Sequence, residues 1–376
     1  MGHPPSLVDA ARTENQKGNH MKTTITLVLT LGLVGSAFAQ SPASTFDRGS
    51  NLQVWQHPDY QTALKQCAKP PQPFRIGGGA ADAGSAEPPA PALPLADAIP
   101  GIINANAQWR LVWAWQGNNA DGPIAGENGS LMFANQDAGN VMQLDPATSL
   151  AQIIFDETNT GGAVSRSKNG ALFLAMRGLH SGIMQLEPER KIFADTINGE
   201  PFDCAGGVVN DIAADSKGGV YIAVSGTGVF YADKGGVITQ YGTAVNGANG
   251  IILSPQEDVL YITNGPVLVA FDVQANGALG NQRDFAKLSG GGDGSAVDSE
   301  GRIYVAAGSA VNIISPAGET LGIIPGPQGL HGVAFGGEDK RTLFGIVFYG
   351  AWGTAAARNQ VVAIDVLSQG YLGRSK

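Results

Sequence analysis

Five polar residues share one repeated position in this 376-residue chain: Asp121, Asn210, Asn249, Asp293 and His331. Each lies ten to twelve residues before the first strand residue of an aliphatic–aromatic phrase. Two carboxylates and two amides are hard oxygen donors. Calcium takes six to eight such oxygens, water included. One imidazole and no cysteine at that register argue against a transition-metal set. Asp and His can also move protons. Four of the five precede glycine (Asp121-Gly122, Asn249-Gly250, Asp293-Gly294 and His331-Gly332), and the fifth is Asn210-Asp211. Asx-Gly pairs are ordinary turn formers, so hydrated turn caps are the bland alternative. Five at one register point instead to a shared metal-binding or catalytic point.

The elements that must position them are set by the phrases. These are GSLMFAN (129–135), GALFLAM (170–176), GGVYIAV (218–224), DVLYITN (258–264), GRIYVAA (301–307) and RTLFGIV (341–347). Their markers Leu131, Leu172, Val220, Leu260, Ile303 and Leu343 are spaced by 41, 48, 40, 43 and 40 residues. A period near 40 with several short strands per unit marks propeller blades. Upstream of the markers come a strand, such as Val208–Ala213, and a polar turn, such as Asp215 to Gly218 or Asp298 to Gly301. A third strand carries an apolar pair before Asp, at Leu144-Asp145 and Phe271-Asp272. The fold expected over 104–370 is an all-β, six-bladed β-propeller. The segment WRLVWAW (109–115) is expected to join the last blade beside QVVAIDV (360–366) and close the ring. Innermost strands run along the central channel, so one end of them gathers the five polar residues. Blade two has Gly162 at that register and no side chain.

Composition agrees. With 53 Gly and 21 Pro the chain turns often, and 43% hydrophobic residues suffice for a core. Only 15% charged residues argues against a coiled coil or charged tail, and a net charge of −9 against a nucleic-acid partner. Residues 1–20 are polar and patternless, and Met21 reads as the native start. Residues 21–39 carry Lys22, an apolar run and Ala37-Phe38-Ala39, a signal-peptide pattern. The run is too short to span a bilayer, so a periplasmic or secreted protein, free of the membrane after cleavage, is expected. Residues 40–103 read as a Pro/Gly/Ala-rich arm and linker, with one short helix over Asp59 to Gln66. In an oxidising compartment Cys67 and Cys204 could form a disulfide that staples the arm, or remain two buried thiols.

The phrases ADGPIAGENGSLMFAN (120–135), GGVVNDIAADSKGGVYIA (206–223), GANGIILSPQEDVLYITNG (247–265), GDGSAVDSEGRIYVAA (292–307) and GVAFGGEDKRTLF (332–344) resemble the gluconolactonase/regucalcin family, exported bacterial relatives included. The resemblance spans about residues 105–366. It implies a divalent cation, most often Ca²⁺, at the channel mouth on Asp121, Asn249 and Asp293. It implies a substrate contact at Asn210 and acid/base work at Asp293. Two positions depart from the family pattern. Asp121 replaces a Glu and is one methylene shorter, and Val208 replaces an Arg that contacts sugar.

The expected activity is metal-dependent hydrolysis of lactones or related esters. The cation polarises the carbonyl, water attacks, and Asp293 or His331 is the base. His331 titrates near neutral; its bland role is to line the channel and bond a backbone carbonyl. The alternative is a non-catalytic periplasmic propeller that binds a small ligand or partner protein. His180 reads as a loop residue, and Ser165 and Ser225 lack a nucleophile-elbow context.

Overall fold

Each repeat folds as a four-stranded antiparallel sheet. In the computed structural model the described residues are 57–74, 88–117, 119–136, 138–351 and 356–373, so the 21–39 signal pattern and the upstream residues lie outside them. Blade 1 runs outward through Ala120–Ala125, Leu131–Asn135, Asn140–Asp145 and Leu150–Phe155. The innermost strands of the next five blades are Val164–Arg166, Val208–Ala214, Ala248–Leu253, Gly292–Val297 and Leu330–Gly336. The second strands begin at or one residue before the six markers: Leu131, Leu172, Val220, Val259, Ile303 and Thr342.

The sheets form a six-bladed propeller because no blade can bury both faces alone. Innermost strands such as Val208–Ala214 are buried at every residue, while outermost strands such as Leu150–Phe155 are largely exposed. Six apolar clusters fill the interfaces between neighbouring blades. Blade 6 meets blade 1 through Phe344, Val361, Leu131 and Phe133, which closes the ring. Each innermost strand packs against those of both neighbouring blades.

Closure also uses the chain's early strand. Arg110–Gln116 pairs antiparallel with Arg358–Asp365 as the outermost strand of blade 6. This covers an edge that would otherwise be open. Trp113 and Trp115 stack with ring centroids 4.4 Å apart, and the buried Trp109 donates from Nε1 to the Pro325 carbonyl at 2.7 Å. Asp215 and Asp298 cap the polar turns by accepting backbone N–H groups from the residues two and four positions on.

The described part of the arm holds the short helix expected over Asp59 to Gln66. Tyr60–Ala63 is one helical turn, continued by a 3₁₀ turn at Leu64–Gln66. Cys67 and Cys204 form a disulfide with Cα atoms 5.4 Å apart. Tyr60, Ala63, Leu64 and Cys67 bury against Leu179. The Phe74 ring lies over Gly226, and Pro71 over Gly206.

Candidate functional site

The site residues sit where the innermost strands leave regular pairing. A register shift falls at Asp121–Ile124, Val209–Asp211, Ala248–Ile251, Gly292–Ser295 and Leu330–Gly332. A bulge sets extra residues against the partner strand and re-aims a side chain. Asn210, Asn249, Asp293 and His331 lie inside these shifts, and Asp121 borders one. The regular strand of blade 2 has no such shift.

The glycines after these residues do a different job from the turn-forming one their sequence suggests. Only Gly122 has a left-handed backbone, with φ +55°. All four press against the next blade, Gly122 against Ala163. A Cβ on Gly250 would meet the Asp293 carbonyl oxygen at 2.0 Å, one on Gly294 the Gly332 Cα at 3.0 Å, and one on Gly332 Pro123 at 3.0 Å. Neighbouring innermost strands therefore approach backbone to backbone, which draws their side chains together.

Asp121, Asp293 and His331 interact electrostatically as one cluster. Burial, and then the Asp121 charge, push the Asp293 carboxyl up to about 7. Burial also raises Asp121, against the pull of His331. The Asp121 carboxylate accepts the Gly122 N–H at 2.7 Å. Burial alone would lower His331, but Asp121, Asp293 and two carbonyls outweigh it and raise it. Its Nδ1 lies 3.0 Å from the Gly329 oxygen and its Nε2 2.8 Å from the Ala120 oxygen. Carbonyls only accept, so both bonds are satisfied together by an imidazolium. That ring has no lone pair to offer a proton.

Asn210 donates from Nδ2 to the Ser225 hydroxyl at 2.9 Å, and Ser225 donates to the Ala248 carbonyl at 2.6 Å. The amide of Asn210 is thus fixed in plane. Asn249 is half-buried on the blade 4 strand. His180 lies in the turn after blade 2's second strand, with its N–H on Asp203.

Two charged residues escaped the register count. Asp211 is buried, accepts Ile212 N–H at 2.8 Å and Ile251 N–H at 3.0 Å, and so braces blade 3 against blade 4. Arg177 is 4% exposed and follows the second strand of blade 2. Its Cδ lies 2.1 Å from where a Gly162 Cβ would be, so it fills the gap in blade two. Its charge is felt by Asp121, Asp211 and Asp293. A forward count would have found it: five residues after the markers Leu131, Leu172 and Val220 stand Gln136, Arg177 and Ser225. Arg177, Val208, Tyr60 and Phe74 also line a small cavity of about 20 Å³ between the arm and blades 2 and 3.

The chain matches the SMP-30/gluconolactonase/LRE-like region over residues 119–346. The chain belongs to this family. A curated relative, the gluconolactonase of Zymomonas mobilis, is 25% identical over 65% of this chain and 77% of its own length. The 6-deoxy-6-sulfogluconolactonase of Pseudomonas putida is 39% identical over 26% of this chain and 36% of its own. A solved gluconolactonase from Xanthomonas campestris superposes with a TM-score of 0.59 at 18% identity, covering 74% of this chain and 99% of that one. This last likeness bears on the fold.

The residues present suit a divalent cation. Asp121 and Asp293 hold like charges in one buried cluster, and neither has an ion-pair partner within 4.0 Å among the described residues. Two carboxylates and an amide carbonyl are hard donors of the calcium type. Among the described residues no three acidic, histidine or cysteine side chains form a metal-holding group by themselves. Here the third donor would be the amide of Asn249.

Proposed function

We infer that the chain is a metal-dependent hydrolase of lactones or related esters, acting at the channel end that gathers Asp121, Asn249 and Asp293. The observation that carries this reading is the pair of Asp121 and Asp293 carboxylates, one buried and one half-buried, held at like charge with no ion-pair partner within 4.0 Å among the described residues. Family membership supports the reaction class, since named relatives are gluconolactonases.

A divalent cation, most suitably Ca²⁺, on Asp121, Asn249 and Asp293 would supply a Lewis acid for the carbonyl oxygen. Asp293 takes the proton of the attacking water. Between the two candidate bases the geometry favours Asp293, because both nitrogens of His331 already face carbonyls. His331 is then a fixed positive charge beside the developing oxyanion. Asn210, locked by Ser225, orients the substrate through its amide. Water adds to the carbonyl carbon, the ring C–O bond breaks, and the ring oxygen leaves as a hydroxyl carrying the proton passed through Asp293.

The Cys67–Cys204 disulfide suits an oxidising compartment, which supports an exported site of action together with the 21–39 pattern.

The test is a panel of sugar lactones assayed with and without chelator, on the full chain and on Asp293→Asn and Asn249→Ala. Chelator-sensitive turnover lost in both variants is expected. Tight calcium binding with no turnover on any lactone would refute hydrolysis and leave a binding protein.

A further inference from the structure

Arg177 is a buried charged group whose donors are not all satisfied among the described residues. Its Nε and Nη1 are buried and have no hydrogen-bond partner among the described residues. None of the ion pairs among the described residues includes it. A buried unpaired donor is costly, and more so when charged. Asp121, Asp293 and Asp211 act on it through their charge, but no ion pair with any of them closes among the described residues.

The backbone is arranged around this side chain. Any residue larger than glycine at 162 would collide with Arg177 Cδ at 2.1 Å and crowd Nη1 at 3.0 Å. Blade two thus contributes a guanidinium where the other five contribute short polar groups. On its other side the arm's Tyr60 and Phe74 wall a cavity with room for about one water. That enclosure keeps bulk water from competing for the donors.

Charge balance points the same way. Asp121, Asp211 and Asp293 against Arg177 and His331 leave one negative charge. A divalent cation would turn this into one positive charge. The cluster then has room for one anion besides the reacting carbonyl.

We propose that Arg177 recognises a carboxylate or similar anionic group on the substrate, so that the preferred substrates are acidic lactones. A carboxylate is the anion that a guanidinium binds best through hydrogen bonds, and the Nε and Nη1 of Arg177 are donors without a partner among the described residues. This rests on the hydrolase reading above.

The test uses two lactones that differ only at C6: D-glucaro-1,4-lactone, a carboxylate there, and D-glucono-1,4-lactone, an alcohol. The full cation-loaded chain is expected to favour the acidic lactone by about tenfold or more in kcat/KM. Arg177→Met, and independently Arg177→Gln, should lose about tenfold more on the acidic lactone than on the neutral one, mainly through KM. Equal losses on both lactones, or no preference in the parent chain, would overturn the proposal. Calorimetric binding of D-glucarate against D-gluconate gives a second readout that needs no turnover. If no lactone is hydrolysed, the hydrolase reading fails alone. Arg177-dependent preference for glucarate then still supports the recognition role, and its absence overturns it.

Discussion

Removing one of the paired carboxylates should stabilise the cation-free protein, which is the reverse of what most substitutions do. The perturbation is Asp293→Asn. Its carboxyl is pushed up to about 7 by burial and then by Asp121, against about 3.8 in an unfolded chain. The folded state therefore holds the proton more tightly than the unfolded state. Stability is highest below about pH 4, falls as pH rises towards 7, and stays low above it. About three pH units correspond to at most about 4 kcal/mol. Asp293 is half-buried, so screening leaves about 2 kcal/mol. For a propeller of this size that is a melting-point difference of about 4–8 °C. His331 responds to the same carboxylates, so the comparison of variant with parent is what isolates the site. The assay is thermal unfolding of chelated protein between pH 4.5 and 8.5, repeated with millimolar CaCl₂. Without cation, Asp293→Asn should melt higher at pH 8 and converge with the parent at low pH. With calcium the order should reverse, because only the parent gains binding energy. A cation-free variant that melts lower than the parent at pH 8 would refute the reasoning.

Three further outcomes follow from the same geometry. Asn249→Ala should leave the cation-free melting point within about 1 kcal/mol of the parent but weaken calcium binding in a titration; unchanged affinity would remove Asn249 from the ligand set. Replacing Cys67 and Cys204 together by Ser opens a loop of 137 residues, for which chain entropy gives a loss of at most about 5 kcal/mol. Urea unfolding reads it, and a loss under about 1 kcal/mol would show that the arm restrains the unfolded chain little. Gly250→Ala puts a Cβ 2.0 Å from the Asp293 carbonyl oxygen, a backbone atom that cannot swing aside. A destabilisation of about 3 kcal/mol together with weaker calcium binding is expected, and a neutral substitution would mean that the strands do not press together there.

Much of this was legible in the sequence because blades repeat a local pattern. An aliphatic–aromatic strand after a polar turn needs no distant information, and the markers fall at or one residue inside the observed second strands. The ring closure by WRLVWAW was also readable, since an aromatic strand with no hairpin partner must pair elsewhere. The bulges were not, because nothing in Asp121-Gly122 or Asn249-Gly250 distinguishes an extra strand residue from a turn. The same ambiguity made the glycines look like turn formers, although all four of them are interblade contacts. The short helix over Asp59 to Gln66 was readable too, whereas whether Cys67 bonds Cys204 was left open, because that contact joins residues more than a hundred positions apart. Arg177 was missed for a geometric reason. Counting along innermost strands assumes that the innermost strand of each blade supplies its channel residue.

The pairing of Gly162 with Arg177 shows why that assumption fails, and what replaces it. A site in a repeat fold is set by the space at a register, and two strands can compete to fill it. In blade two the innermost strand yields, with glycine, and the second strand's C-terminal residue enters. The exchange is more than a change of route. The innermost strands deliver short side chains from bulges, held by backbone contacts such as Gly250 against Asp293 and Gly294 against Gly332. Those contacts hold the neighbouring innermost strands close together, so the mutual repulsion of the Asp121 and Asp293 carboxylates is built into the fold. Arg177 comes from a strand end, on a long side chain whose donors are unsatisfied. One part of the ring is therefore rigid and negatively charged, suited to a small cation, and the other is long, positive and unpaired, suited to a group that arrives with the substrate.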